Sequence, residues 1–312
     1  MQEQHPPVYC VILNRNGIPY FRETLETVSV MDYPNFRVMM IDNDSSDGSA
    51  DYVREHFPHV KLIENRSNLG IAAARNAAMT AAFADGALWV YHLDNDVRAD
   101  TRLLSRLMQT ATGDPRVGIL GPKICYHASP GVLWYAGGKI NYFAGTVKHR
   151  GIRRRDTGQY DREEDTDYVV GCSFLVGRNV IDAVGNFDTV YDPFFTQDSD
   201  LCVRAARAGF RVVYVPEARI WHRVSTSSGG VMTPGRISMK IEYNLILFKR
   251  HARWYHWLTI PWCIGGLTLA YLARETAGGN FKIFPALFRG FLKALSRLFR
   301  SGSPTGTTGY PL

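Results

Sequence analysis

Ala87-Leu88-Trp89-Val90-Tyr91-His92-Leu93-Asp94-Asn95-Asp96-Val97 begins as an apolar run, Ala87 to Tyr91, that reads as a buried strand, and passes into two carboxylates two residues apart. A strand leaving an open α/β sheet carries its last side chains into the crevice beyond the carboxyl ends, where ligands of such sheets bind. Two oxygen ligands there suit a hard divalent ion, Mg²⁺ or Mn²⁺, of the kind that clamps the phosphates of a nucleotide. The same spacing also arises as turn or helix-cap chemistry, because Asp accepts from nearby backbone N–H groups. The rest of the chain has to arbitrate.

Outward from this segment, β-rich runs at Val8 to Leu13, Phe36 to Ile41, Val60 to Ile63 and Val117 to Ile124 alternate with helix candidates at Glu23 to Val30, Gly48 to Phe57, Gly70 to Ala84 and Thr101 to Ala111. Strict β-α alternation predicts an α/β fold with a doubly wound, mainly parallel sheet. After the first strand the chain reads Asn14-Arg15-Asn16-Gly17-Ile18-Pro19, with a single glycine. That disfavours both a dinucleotide-binding turn and a phosphate-cradling P-loop.

Past about residue 125 the alternation stops. Val132 to Tyr135 and Lys139 to Phe143 flank Gly137-Gly138 and read as a hairpin. Arg150 to Asp167 is dense in charges of both signs and reads as a solvated or mobile loop that can order over substrate. Strand signals resume at Tyr168 to Val176 and Arg211 to Val215, around a helix candidate from Asp198 to Ala208.

With 312 residues the chain can bury a full core, and its 46% hydrophobic content excludes a disordered protein. The five cysteines are scattered, with no Cys-x-x-Cys pair, so neither a disulfide framework nor a zinc knuckle is indicated and a reducing compartment fits. Met1 to Pro7 shows no export signal. The net charge of +7 belongs to the tail: Lys249 to Arg300 holds nine lysines and arginines against one acid, Glu275. Because that basic tail is apolar rather than polar and groove-like, nucleic acid is not the expected partner.

Five segments fall in order: Val11-Ile12-Leu13-Asn14-Arg15-Asn16; Met40-Ile41-Asp42-Asn43-Asp44-Ser45-Ser46-Asp47-Gly48; Asn68-Leu69-Gly70-Ile71-Ala72-Ala73-Ala74-Arg75-Asn76; Leu93-Asp94-Asn95-Asp96; and Phe195-Thr196-Gln197-Asp198-Ser199-Asp200-Leu201-Cys202-Val203-Arg204. Together, over about Val8 to Ser228, they resemble glycosyltransferase family 2, nearest to its rhamnosyl- and galactofuranosyltransferase-like members. The resemblance implies a GT-A type fold, a nucleotide-binding half (residues 1–125) running without a break into an acceptor-binding half (126–234). The activity it implies is inverting transfer of a sugar from a UDP- or dTDP-linked donor to a cell-surface glycan or lipid-linked acceptor.

It also implies roles. Asp42 matches the position that accepts a hydrogen bond from the base, and Asn14 a nucleotide-contacting one, while Asp44 to Asp47 suit turn and capping work. Asp94 and Asp96 match the family's Asp-x-Asp motif: Asp96 as ligand of the metal, Asp94 toward the ribose or a metal-bound water. His222, in Ile220-Trp221-His222-Arg223-Val224-Ser225-Thr226-Ser227-Ser228, resembles the family's late histidine that ligates the same metal. Arg75, on an alanine-rich helix, fits either a diphosphate contact or a structural salt bridge to a nearby acid. Asp198, at the start of a helix candidate, is the implied catalytic base, with helix capping as its alternative reading. Gln197 stands where many members carry Glu and can orient an acceptor hydroxyl through its neutral amide. Cys172, in Gly171-Cys172-Ser173-Phe174-Leu175, reads as packing.

From Phe284 to Phe299, apolar residues at 284, 287, 288, 291, 292, 295, 298 and 299 fall on one helical face, with Arg289, Lys293, Arg297 and Arg300 opposite. A basic amphipathic helix of this kind lies on an anionic membrane, and packing onto the catalytic domain is the alternative. Trp257 to Ala273 is a short apolar run interrupted by Pro261 and Gly265-Gly266, which favours a re-entrant or interfacial segment over a span. The expected organisation is a glycosyltransferase domain over 1–234, a helical membrane-associating region over 235–300 and a disordered tail over 301–312, with the protein peripheral or monotopic at the cytoplasmic face of the plasma membrane. Two rivals stand beside this reading. A sugar nucleotidyltransferase should show a Gly-rich basic loop after the first strand, which Asn14 to Tyr20 lacks. A non-catalytic membrane-bound nucleotide or glycan binder has Gln197 as its hint.

Overall fold

A computed structural model describes residues 5–193, 195–224 and 234–277, with single positions 285, 287, 288 and 292. The chain forms β1 (Val8–Asn14), α1 (Ile18–Ser29), β2 (Phe36–Asn43), α2 (Ser49–His56), β3 (Lys61–Asn65), α3 (Ile71–Ala84), β4 (Trp89–Asp94), β5 (Val97–Ala99), α4 (Leu103–Gly113), β6 (Val117–Tyr126), β7 (Ser129–Tyr135), β8 (Gly138–Asn141) and β9 (Thr146–His149). It continues through β10 (Glu164–Asp165), β11 (Ser173–Gly177), α5 (Arg178–Val184), α6 (Gln197–Arg207), β12 (Arg211–His222), α7 (Pro234–His251) and α8 (Ile260–Ala277). The main sheet has the order β10-β12-β6-β11-β4-β1-β2-β3, with β5 paired to β12 and β7 to β6. β1 runs parallel to β2 and β4, β2 to β3, and β12 to β6, whereas β11 lies antiparallel between β4 and β6.

The central strand β1 is apolar on both faces, and Val8 to Ile12 are buried, as expected where helices cover both sides of a parallel sheet. α1 buries Phe21, Leu25 and Val28, spaced one helical turn apart. Each such full burial stabilises the fold by roughly 1.5–3 kcal/mol. The helix starts at Ile18 rather than Glu23 because Pro19 is tolerated in a first turn, where its missing N–H has no intrahelical partner. α3 presents Ala72, Ala74, Ala78 and Ala82 to the core, and small side chains let it approach the sheet closely.

The amino end of α3 is capped from far away in sequence. Asp192 accepts from the backbone N–H groups of Ala72 (2.7 Å) and Ala73 (3.2 Å). Gly70 precedes the helix at φ 86°, ψ 173°, a region open essentially to glycine, and a Cβ there would stand 2.5 Å from Cγ of Asp192. Gly70→Ala is therefore expected to cost about 2–4 kcal/mol in urea unfolding, from backbone strain together with the displaced cap.

Three expectations are corrected. β7 and β8 do not form a hairpin with each other: β7 pairs antiparallel with β6, and β8 with β9. Gly137, at φ 100°, turns the chain away, and Ala136 and Gly137 exchange backbone hydrogen bonds with Arg150 instead. The charged segment 150–167 is tied down at several points. Buried Lys123 on β6 bonds Asp156 (3.1 and 3.0 Å) and Asp161, and β10 adds an edge strand to β12. Finally, only Ser173–Gly177 of the expected strand from Tyr168 is extended and paired.

Two compact units result. The first comprises residues 1–140 and 147–231 and the second 141–146 and 232–312. In the second, Tyr142 packs edge-on to Phe248 (5.9 Å) and stacks on His256 (5.4 Å), and Thr259 donates to the Phe143 carbonyl (2.7 Å). Pro261 sits in the first turn of α8 rather than breaking a helix. No helix of the described residues is long and apolar enough to cross a membrane. Most of the amphipathic segment 284–299, the tail 301–312 and Ser225 to Ser228 lie outside the described residues.

Candidate active site

The carboxyl ends of β1, β2 and β4 meet in register: Asn14 pairs with Asp42 across one side, and Leu13 with Asp94 across the other. Asn14 is fully buried and shares its side chain between both neighbours. Its Nδ2 donates to Asp42 Oδ2 (3.0 Å), and its Oδ1 accepts from Asn95 Nδ2 (2.6 Å). Asp42 Oδ1 accepts from the Ser45 N–H (2.8 Å), so the Asp42 carboxylate is oriented from both sides. The residues read as turn formers do that work: Asp47 accepts from the N–H groups of Ser49 (3.0 Å) and Ile18 (3.0 Å).

Arg75 is 2% exposed, and its position reconciles two of the expectations. One guanidinium nitrogen donates both to Asp94 Oδ1 (3.0 Å) and to the carbonyl of Gly171 (2.6 Å). Arg75 thus makes a salt bridge to Asp94. Gly171 in turn donates its N–H to Asp198 Oδ2 (2.6 Å), while Asp198 Oδ1 accepts from the N–H of Ser199 (2.7 Å). Asp94 and Asp198 are thus fixed from one short piece of chain. A Cβ at Gly171 would lie 2.9 Å from Arg75 Nη1 and 3.2 Å from Asp198 Oδ2. Burial pushes the Asp198 carboxyl above its ordinary value, against the pull of the Ser199 and Gly171 N–H groups and of Arg75. Gln197 is buried beside it, and among the described residues its Oε1 has no hydrogen-bond partner.

Asp96 and His222 are 126 positions apart and are joined by strand pairing. β5, directly after Asp96, runs antiparallel to the end of β12 so that Val97 faces His222, and Arg223 donates its N–H to the Asp96 carbonyl (2.9 Å). His222 Nε2 lies 3.1 Å from Asp96 Oδ1. Ligand atoms of Asp94, Asp96 and His222 all fall within 4.8 Å of one another. Burial disfavours the protonated His222 imidazole, yet Cys172 and Asp96 beside it leave its pKa well above the ordinary value. Asp94 is pushed up by burial and by Asp96, with Arg75 opposing. Two carboxylates and an imidazole, close-set, with Asp96 and His222 buried and Asp94 partly open, form a donor set suited to a divalent cation such as Mg²⁺ or Mn²⁺.

The sequence profile of glycosyltransferase like family 2 matches residues 5–256. The chain belongs to that family. Members of glycosyltransferase family 2 are enzymes of glycosyl transfer, and the fold agrees with the GT-A architecture of solved neighbours. The N-acetylglucosaminyl-diphospho-decaprenol L-rhamnosyltransferase of Mycobacterium tuberculosis is 26% identical over 265 residues, covering 80% of this chain and 86% of that protein. The pre-mycofactocin glycosyltransferase of the same organism is 26% identical over 224 residues, 70% of this chain and 43% of its own. Among solved structures, the mannosyltransferase PcManGT from Pyrobaculum calidifontis, in complex with GDP-Man and Mn²⁺, shares the fold with a TM-score of 0.63 at 19% identity. That match covers 94% of this chain and 88% of PcManGT.

Against this family 2 background, the structure brings Asn14, Asp42, Arg75, Asp94, Asp96, Gln197, Asp198 and His222 to one end of one sheet. Sequence reasoning missed two participants. Asn95, given no role from sequence, is 4% exposed and holds Asn14. Gly171 was read only as part of a strand, and nothing in its neighbours announces that its two backbone groups serve Arg75 and Asp198.

Proposed function

We propose that this family 2 enzyme is a metal-dependent inverting glycosyltransferase that moves a sugar from a UDP- or dTDP-sugar to a cell-surface glycan or lipid-linked acceptor. The observation that carries the reading is the Asp94–Asp96–His222 group with Asp198 held nearby through Gly171 and Arg75. Asp94, Asp96 and His222 would hold Mg²⁺ or Mn²⁺, which supplies charge stabilisation to a departing diphosphate. Asp42, oriented by Asn14 and the Ser45 N–H, keeps lone pairs to accept from a base N–H. Gln197 orients the acceptor hydroxyl. The hydroxyl oxygen bonds to the anomeric carbon as the bond from that carbon to the diphosphate oxygen breaks, and the hydroxyl proton passes to the Asp198 carboxylate. A single displacement of this kind inverts the anomeric carbon without a covalent enzyme intermediate. A screen of UDP- and dTDP-hexoses with Mn²⁺ or Mg²⁺ against a membrane lipid extract tests it, and the proposal fails if no donor is consumed.

The proposed organisation keeps the catalytic domain within 1–234 and gives 235–300 to an anionic membrane surface at the cytoplasmic face. Within the helical unit, Trp254 (78% exposed) and Trp262 (80% exposed) stand out with Leu258, next to Lys249, Arg250 and Arg253. Exposed Trp beside basic residues is the composition that settles at a bilayer interface. A lipid-linked acceptor gives such attachment a purpose, and the rhamnosyltransferase relative carries diphospho-decaprenol in its name. Trp254→Ser with Trp262→Ser is expected to reduce flotation with vesicles containing phosphatidylglycerol by about tenfold; unchanged flotation counts against the membrane assignment.

A further inference from the structure

We propose that Trp134, backed by His149 and Tyr168, is a platform on which a sugar ring packs between the Asp94–Asp96–His222 group and Asp198. A row of rings carries this inference. The Trp134 indole lies 4.8 Å from the His222 imidazole and 4.8 Å from that of His149, both edge-on. The His149 ring is 5.9 Å from that of Tyr168, and His149 Nδ1 is 2.7 Å from the Tyr168 hydroxyl, which fixes its orientation. Tyr168 stands three residues before Gly171, whose N–H holds Asp198, and the Asp198 carboxylate reinforces the upward push that burial gives the Tyr168 hydroxyl. The row therefore links the cation-binding group to the segment that leads into Gly171 and its bond to Asp198.

Trp134 differs from the other aromatic residues around it. On β7 its neighbours Leu133 and Tyr135 are fully buried, as are Tyr168 and Tyr214 nearby, whereas Trp134 is half-buried. Among the described residues its indole N–H has no hydrogen-bond acceptor, and an indole close to a core ordinarily finds one. An aromatic surface with a spare donor matches the two sides of a hexose: a face of C–H groups and a rim of hydroxyls. The chemistry fits the ring of the donor's glycosyl group or that of the acceptor.

The inference rests on the glycosyl-transfer reading, and its test separates the two. Trp134→Ala and Trp134→Phe are assayed with the active UDP- or dTDP-hexose, and binding of UDP or dTDP with Mn²⁺ is followed by calorimetry. Trp134→Ala is expected to raise KM for one sugar substrate about tenfold, Trp134→Phe to restore most of it, and nucleotide affinity to stay within twofold. A raised donor KM assigns the ring to the donor, and a raised acceptor KM assigns it to the acceptor. Wild-type KM for both substrates in Trp134→Ala, or an equal loss of nucleotide affinity, overturns the platform. Wild-type turnover in the same assay leaves glycosyl transfer standing in either case.

Discussion

Asp198→Asn is expected to lower kcat for transfer by about 10²- to 10⁴-fold while leaving nucleotide-sugar affinity near wild type. The substitution preserves shape but keeps an oxygen for only one of the Gly171 and Ser199 N–H groups, with its NH2 turned to the other, so unchanged nucleotide-sugar affinity is the check that the local scaffold stays put. What disappears is the carboxylate proposed to receive the hydroxyl proton. Burial raises the pKa of Asp198, and a base in the proposed step has to be deprotonated. The rate therefore falls as pH drops through a value above the ordinary 3.8 of an aspartate, and is fully present above it. A pH–rate profile of kcat measures that limb, and a variant with unchanged kcat removes Asp198 from the chemistry.

The second large effect is expected at the cation group. Chelation with EDTA should abolish transfer, and Mn²⁺ or Mg²⁺ should restore it. Asp96→Asn should cost about 10²- to 10³-fold in kcat/KM at fixed metal concentration, with part of the loss recovered at higher concentration. Asp96 is 1% exposed and faces His222 at 3.1 Å, so the substitution also leaves the imidazole without its counter-charge. Protons and metal compete for that imidazole, because a ligating histidine has to be neutral. His222→Ala should therefore weaken the metal response and flatten the pH dependence of metal activation. Full turnover in chelator would refute the metal assignment.

Much of the α/β core was legible because periodicity and apolar runs report burial directly. β1, β2, β4 and α3 appear where expected, and the disagreements concern ends. Asn14, Asp42, Asn43 and Asp94 extend their strands past the last apolar residue, since a polar side chain at the mouth of a sheet does not interrupt the backbone ladder. At Val215 the sequence reading stopped before Pro216, but a bulge between Val215 and Arg219 absorbs the proline and carries β12 on to His222. Longer-range facts had no local signature: the Asp192 cap on α3, the service of Gly171 to two side chains, and the burial of Lys123 under two aspartates. The Gly137-Gly138 pair misled because local turn chemistry specifies a bend but not which strand lies beside the next one.

Strand β11 has a consequence for how such enzymes diversify. It comes late in the chain yet sits between β4 and β6, with Ser173 opposite Leu93 and Leu175 opposite both Tyr91 and Leu120. The proposed donor and acceptor halves thus cannot be separate folding units: a fragment ending near residue 125 would lack a central plank of its own sheet. Chimeras that swap whole halves between relatives should aggregate, and new specificities have to be grafted as loops onto an uncut scaffold.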